Sequence, residues 1–313
     1  YNMSKVVFNI ALWTLWVSTF CLIAAGCSNE GENKANQTKV KGETFTHNGL
    51  ERTYKIYKPK TLPPNSPVVF LLHGMNSTSN WSYHAGFNSL ADQHGFLAVF
   101  PQSHRKLIKL GPFKTYNTRW NPANEDELYE GRNDVEFLSS LALHLEERFQ
   151  LDADRTFVAG FSIGGAMSYT LMCQAGDVFE AAAVVSGLMV KDVFNDCDPE
   201  SPKSIIHLHG TDDSLAPITG EREGAKAGTE IGMEQTVEYF AKLNNAFEKE
   251  IIQVSSNSQL TKYKSEAGGI EVQQYRIENH GHLWPGGDTG GKNINDESGL
   301  DATAVIWDFF AEL

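Results

Sequence analysis

A serine held between two glycines is the residue that most plainly invites chemistry in this chain. Ser162 stands in Gly160-Phe161-Ser162-Ile163-Gly164, directly after the β-branched and aromatic run 156–159. The spacing G-x-S-x-G is that of a nucleophile on a sharp strand-to-helix turn. Such a turn brings neighbouring backbone so close that a side chain at either flanking position would clash, and glycine removes it. A hydroxyl alone is a weak nucleophile, so a base must take its proton and an acid must orient the base. Both residue types follow later strand-like runs: Asp213 lies beyond the run 204–210, and His282 beyond the run 272–277. Each has a neighbour that competes for the role, Asp212 beside the one and His280 two residues before the other.

Residues so far apart meet only if the intervening chain builds strands that end on one edge. Residues 68–72 are a continuous apolar run, as expected of a central strand buried on both faces, and they lead directly into His73-Gly74. Residues 96–101, 181–186, 204–210 and 272–277 read as further strands, and 52–58 as an early one. Between them, Val135, Leu138, Leu141, Ala142, Leu145 and Phe149 recur at helical spacing over 134–149. Further helices are expected around Met233, Val237, Phe240 and Leu243, and in a closing segment with Val305, Ile306, Phe309, Phe310 and Leu313 on one stripe. This alternation predicts an α/β domain with a mostly parallel central sheet and helices on both faces. Residues 102–131 lack a clear period and are predicted to be a long loop covering the site. They carry Phe113, Tyr116, Trp120 and the acidic patch Glu125-Asp126-Glu127.

The order serine, acid, histidine is that of the α/β-hydrolases. Several further motifs occur in register: Leu71-Leu72-His73-Gly74, Trp120-Asn121, Asn133-Asp134-Val135, Ser162 within Gly160–Met167, His209-Gly210-Thr211-Asp212-Asp213, and His282-Leu283-Trp284-Pro285-Gly286. Together they resemble the poly(3-hydroxybutyrate) depolymerase and feruloyl esterase family of α/β-hydrolases, similar to carbohydrate esterase family 1, from about Arg52 to the C-terminus. The resemblance implies Ser162 as nucleophile, Asp213 as acid and His282 as base, preferred over Asp212 and His280 by their motif positions. It implies an oxyanion hole made by the backbone N–H of Ile163 and of Met75. It also makes Trp284, Trp120 and His73 substrate-binding candidates, with no cofactor. The implied activity is a serine carboxylic ester hydrolase acting through an acyl-enzyme on feruloyl or acetyl esters of plant polysaccharides, or on polyesters of 3-hydroxybutyrate. Depolymerases of this kind often carry cysteine after the His-Gly pair, where this chain has Met75, and that tilts the expectation to feruloyl or acetyl esters. A catalytically inactive cell-surface binding lipoprotein is the alternative from another class.

The formal net charge of −13 over 313 residues, without a Lys/Arg cluster, excludes non-specific nucleic-acid binding. Residues 1–27 read as an export signal: Lys5, then an apolar run to Gly26, with small residues before Cys27 as at a lipoprotein processing site. Residues 28–42 read as a polar tether and 43–313 as the catalytic domain. Attachment to a membrane is therefore expected through the N-terminus only. The expected location is a cell-surface or outer-membrane lipoprotein, or a secreted or periplasmic protein. In such a compartment Cys173 and Cys197 are expected to pair. The pairs His207/His209 and His280/His282 lack a third ligand at supporting spacing, so no metal site is expected.

Overall fold

The computed structural model describes residues 40–110, 113–123, 133–221, 229–265, 271–287 and 296–313. Thr38–Leu313 forms one compact unit. A run of five apolar residues can be buried on both sides only in the middle of a sheet, and β3 (Val68–Leu72) lies there, between β4 (Leu97–Pro101) and β7 (Thr156–Phe161). β1 (Lys41–His47) and β2 (Leu50–Tyr57) precede it. β8 (Ala181–Val185), β10 (Ser204–Gly210), β12 (Glu248–Gln253), β13 (Ser258–Lys264) and β14 (Glu271–Ile277) complete ten strands in the order β1-β2-β4-β3-β7-β8-β10-β14-β13-β12. From β4 to β14 all neighbours are parallel, and the two edges are antiparallel.

Helices cover both faces. Val68, Phe70 and Leu72 pack with α3 (Asp134–Phe149), α4 (Ile163–Gln174) and α6 (Met233–Leu243). Val69 and Leu71 pack the other way, with α2 (Phe87–His94) and α7 (Ala302–Ala311). Strand side chains alternate between faces, so one five-residue run serves both layers. Truncating Phe70, which has no exposed surface, to alanine would cost about 3–5 kcal/mol.

The long segment after β4 is not the predicted loop. It contains an antiparallel hairpin of β5 (Arg105–Leu110) and β6 (Phe113–Thr118), which pairs only with itself. The acidic patch at Glu125–Glu127 lies outside the described residues. Short elements complete the chain: α1 (Ser79–His84), α5 (Lys191–Asn195), and the pair β9 (Met189–Val190) and β11 (Glu230–Ile231). Cys173 at the end of α4 is joined to Cys197 by a disulfide, with their Cα atoms 4.9 Å apart.

The start of α3 ties distant parts together. Asn133 caps it by accepting from the N–H of Glu136 at 3.1 Å. In its first turn, Asp134 is buried and accepts from Arg52 of β2 at 2.7 Å and from the N–H of Asn121 at 2.9 Å. Arg52 in turn lies 3.8 Å from the centre of the Phe137 ring. Burial pushes the Asp134 carboxyl up, against the pull of the Arg52 guanidinium. Removing either partner would strand a buried charge.

Candidate active site

Parallel strands place all their C-terminal ends on one edge of a sheet, and the residues singled out above follow three such ends. Ser162 follows β7, Asp213 follows β10 and His282 follows β14, across the contiguous set β7-β8-β10-β14. Ser162 has φ 56° and ψ −122°, a conformation that L-residues rarely adopt, and it caps α4. A Cβ on Gly160 would sit 2.2 Å from the carbonyl oxygen of Gly164, and one on Gly164 would sit 2.2 Å from that of Leu72. The glycines of the motif are thus required by backbone crowding. The N–H of Ser162 donates to Val185 of β8 at 2.9 Å, pinning the bend to the sheet.

The expected acid and base are in contact. His282 Nδ1–H donates to Asp213 Oδ2 at 2.7 Å, and Asp213 Oδ1 accepts from the N–H groups of Leu215 and Ala216 at 3.0 and 2.8 Å. Burial alone would raise the Asp213 carboxyl. Hydrogen bonds from His209, His282 and the Ala216 N–H outweigh it and hold the carboxyl well below the usual carboxylate range. Asp212 is exposed and His280 lies 3.5 Å from Asp296, so neither competitor joins this pair.

Ser162 and His282 line one cavity of about 440 Å³, with Ile163, Gly74 and Met75 beside them. Ser162 Oγ makes no hydrogen bond among the described residues; in ligand-free sites this contact is commonly long and tightens on substrate. Trp81 and Phe161 form an apolar wall, stacked at 4.9 Å, and Phe161 lies 4.9 Å from the His282 ring. Ile163 opens α4, so its N–H has no intrahelical acceptor. It is free to meet negative charge.

None of the three predicted substrate-binding residues lines the cavity. His73 has no exposed surface: its Nδ1–H donates to the Gly74 carbonyl at 2.8 Å, and Nε2 accepts from the Ser103 N–H at 3.1 Å. Burial pulls its pKa down to about 4, so the ring is neutral. Trp120 is fully buried and donates from Nε1 to the His73 carbonyl at 3.0 Å. Trp284, 4% exposed, donates to Thr303 and packs edge-on against Trp81 and Phe87. The motifs that carry His73 and Trp120 therefore anchor the loop that follows Gly74, and Trp284 supports the Trp81 wall from behind. Aromatic type and motif position alone do not separate a ring that touches substrate from one that fixes a loop.

Sequence reading missed Arg119, Glu230 and Ser186, all of which line the cavity. Among the described residues, buried Arg119 Nε has no hydrogen-bond partner, and neither has the Ser186 hydroxyl. Ser186 has φ 49° at the end of β8, where a strand was legible and a strained turn was not. Arg119 follows the hairpin strand that went unrecognised.

Sheet order, elbow and strand-end residues define an α/β-hydrolase, and the comparisons with known proteins agree. The family model Esterase matches residues 47–230, more than half of the chain, and the chain belongs to that family. It is 29% identical over 168 residues to a bifunctional acetylxylan esterase/xylanase of Neocallimastix patriciarum, covering 53% of this chain and 22% of that protein. It is 31% identical over 171 residues to feruloyl esterase B of Thermothelomyces thermophilus, covering 54% of this chain and 53% of the relative. The chain thus spans about half the length of one relative and less than a quarter of the other. The solved acetyl xylan esterase from Aspergillus awamori shares the fold, with TM-score 0.58 at 15% identity over 87% of this chain and 100% of that one.

Proposed function

We propose that this chain is a serine carboxylic ester hydrolase that works through an acyl-enzyme on feruloyl or acetyl esters of plant polysaccharides. The observation that carries the reading is the Asp213–His282 pair at 2.7 Å opening on the same cavity as a serine with φ 56°. His282 takes the Ser162 proton through Nε2 as Oγ attacks the ester carbonyl, and Asp213 holds the Nδ1–H tautomer. The Ile163 and Met75 N–H groups receive the developing oxyanion. His282 then protonates the leaving alcohol, and water, activated by the same ring, releases the acid. The relatives named acetylxylan esterase and feruloyl esterase support the acyl range. Met75 in place of the depolymerase cysteine agrees with it.

One observation favours a second reading, hydrolysis of 3-hydroxybutyrate oligomers. Such an oligomer ends in a carboxylate, and the cationic residue Arg119 lines the cavity.

The catalytic unit of this proposal is residues 43–313, exported behind the leader 1–27 and the tether 28–42, with lipidation at Cys27. Residues 1–39, Cys27 among them, lie outside the described residues. No helix among the described residues is long and apolar enough to cross a membrane.

The test compares methyl ferulate, p-nitrophenyl acetate and a 3-hydroxybutyrate oligomer as substrates of wild type and Ser162→Ala. Loss of about 10⁶ in kcat is expected for the variant. Activity near wild type would end the mechanism. A preference for the oligomer would move the assignment to the second reading, and failure of Ser162 to take a fluorophosphonate label would favour the inactive binding protein.

A further inference from the structure

The two histidines on β10 are absorbed neither by a metal nor by direct catalysis, and both are buried. We propose that Tyr169, His207 and His209 form a one-directional hydrogen-bond chain that positions Asp213 and offsets its charge. The role at Asp213 rests on the triad reading above.

Residues 207 and 209 alternate along β10 and share a face, the face covered by α4. Tyr169 of α4, also fully buried, places its hydroxyl 2.6 Å from His207 Nδ1. His207 Nε2 is 2.9 Å from His209 Nδ1, and His209 Nε2 is 2.7 Å from the Ala216 carbonyl and 3.3 Å from Asp213 Oδ2.

The partners fix the protons. Ala216 O and an ionised Asp213 only accept, so His209 Nε2 carries hydrogen and its Nδ1 carries a lone pair. His207 must then donate from Nε2 and accept at Nδ1, from the Tyr169 hydroxyl. Every link points toward the turn at Ala216 that holds Asp213. Burial, with His209 beside it, holds the His207 pKa well below the usual histidine value, and burial raises that of Tyr169. Neither group changes charge near neutrality, so the direction persists.

Other groups around the chain do not compete. Val184 of β8 and Gln274 of β14 stand in register with His207, and Arg276, in register with His209, is exposed and ion-paired with Glu278. Phe240 of α6 stacks on Tyr169, and His280 lies against Asp296. The imidazoles that meet the Asp213 carboxylate are therefore His209 and His282.

Three polar side chains in a dry core are tolerated only when fully bonded. Here the bonding ends on the Ala216 carbonyl, with Asp213 Oδ2 3.3 Å from the same Nε2 and Asp213 Oδ1 held by the Ala216 N–H. Because His209 offsets part of the carboxylate charge, it tempers the pull of Asp213 on the His282 imidazolium. Weakening the chain makes His282 more basic.

The test uses Tyr169→Phe, which removes one oxygen and keeps the ring. Without the hydroxyl, His207 can reverse and leave a lone pair facing His209. We expect kcat to fall roughly tenfold, about the worth of one buried hydrogen bond, with KM changing less than about threefold. The acid limb of the kcat/KM profile should move up by about 0.5 unit. Unchanged kcat and an unmoved acid limb would overturn the role. Independently, ¹⁵N shifts of wild type at neutral pH should report both His207 and His209 as neutral Nε2–H tautomers. An Nδ1–H or charged ring at either position would overturn the chain even if the variant failed to fold. If Ser162→Ala hydrolysed esters like wild type, the triad reading would fall and the role at Asp213 with it, while the ¹⁵N shifts would still decide the chain itself.

Discussion

Replacing Gly164 by alanine would put a methyl carbon 2.2 Å from the Leu72 carbonyl oxygen and 2.8 Å from that of His73. Ordinary contact begins at 3.4 Å, so the nearer gap is short by about 1.2 Å. Both obstacles are backbone at the end of the central strand, and neither can swing aside as a side chain can. Either α4 with Ser162 must withdraw, or the loop carrying Gly74 and Met75 must. Each movement separates the nucleophile from the proposed oxyanion donors. Misplacement by about 1 Å costs on the order of 10² in rate, and loss of one oxyanion donor about 10²–10³. Gly164→Ala should therefore lower kcat/KM for p-nitrophenyl acetate by about 10²–10³, with overpacking costing roughly 1–3 kcal/mol of stability. Gly281, although next to His282, has nothing within 4 Å of an added Cβ. Gly281→Ala should stay within about threefold of wild type, as substitutions away from crowding do. Initial rates would be read beside urea unfolding midpoints to show that both variants are folded. A folded Gly164→Ala with near-wild-type activity would refute the reasoning, as would equal damage from Gly281→Ala.

Trp120→Phe keeps the buried ring but removes the donor to the His73 carbonyl, and should reduce kcat roughly fivefold to tenfold with little change in KM; a pure KM effect in steady-state kinetics would contradict an anchoring role. The His73 pKa lies at about 4 in the folded chain against an ordinary 6.5, so its contribution to stability is complete above pH 6.5 and is lost as pH falls toward 4. Urea midpoints of His73→Gln should accordingly fall less steeply than wild type across that window, and parallel slopes would be evidence against it. The Cys173–Cys197 bridge spans 24 residues and should contribute about 3 kcal/mol, lost in Cys173→Ser/Cys197→Ser. Intact mass without reductant should be two hydrogens lighter than after reduction, and an unchanged mass would refute the bridge.

How far the sequence could be read depended on whether a signal was local. The elbow at Ser162 was legible because backbone crowding there dictates glycine at fixed spacing. The central strands were legible because burial on both faces leaves them uniformly apolar, and 134–149 matched α3 because its packed stripe has one period. The hairpin β5–β6 and the edge pair β12–β13 were not: β12 is exposed at every position, so no alternation marks it. His207 and His209 read only as a metal-type pair short of a third ligand, because their partners, Tyr169 and Asp213, are distant or out of phase in the chain. The burial of Trp120 and Trp284 was equally invisible, since it follows from which loops they pin.

The distribution of the site over three strand ends also sets when it can exist during synthesis. The elbow emerges first and Asp213 next, while His282 and β14, on which its loop depends, follow last of the three. Until β14 docks against β10, the proposed nucleophile lacks its proposed base.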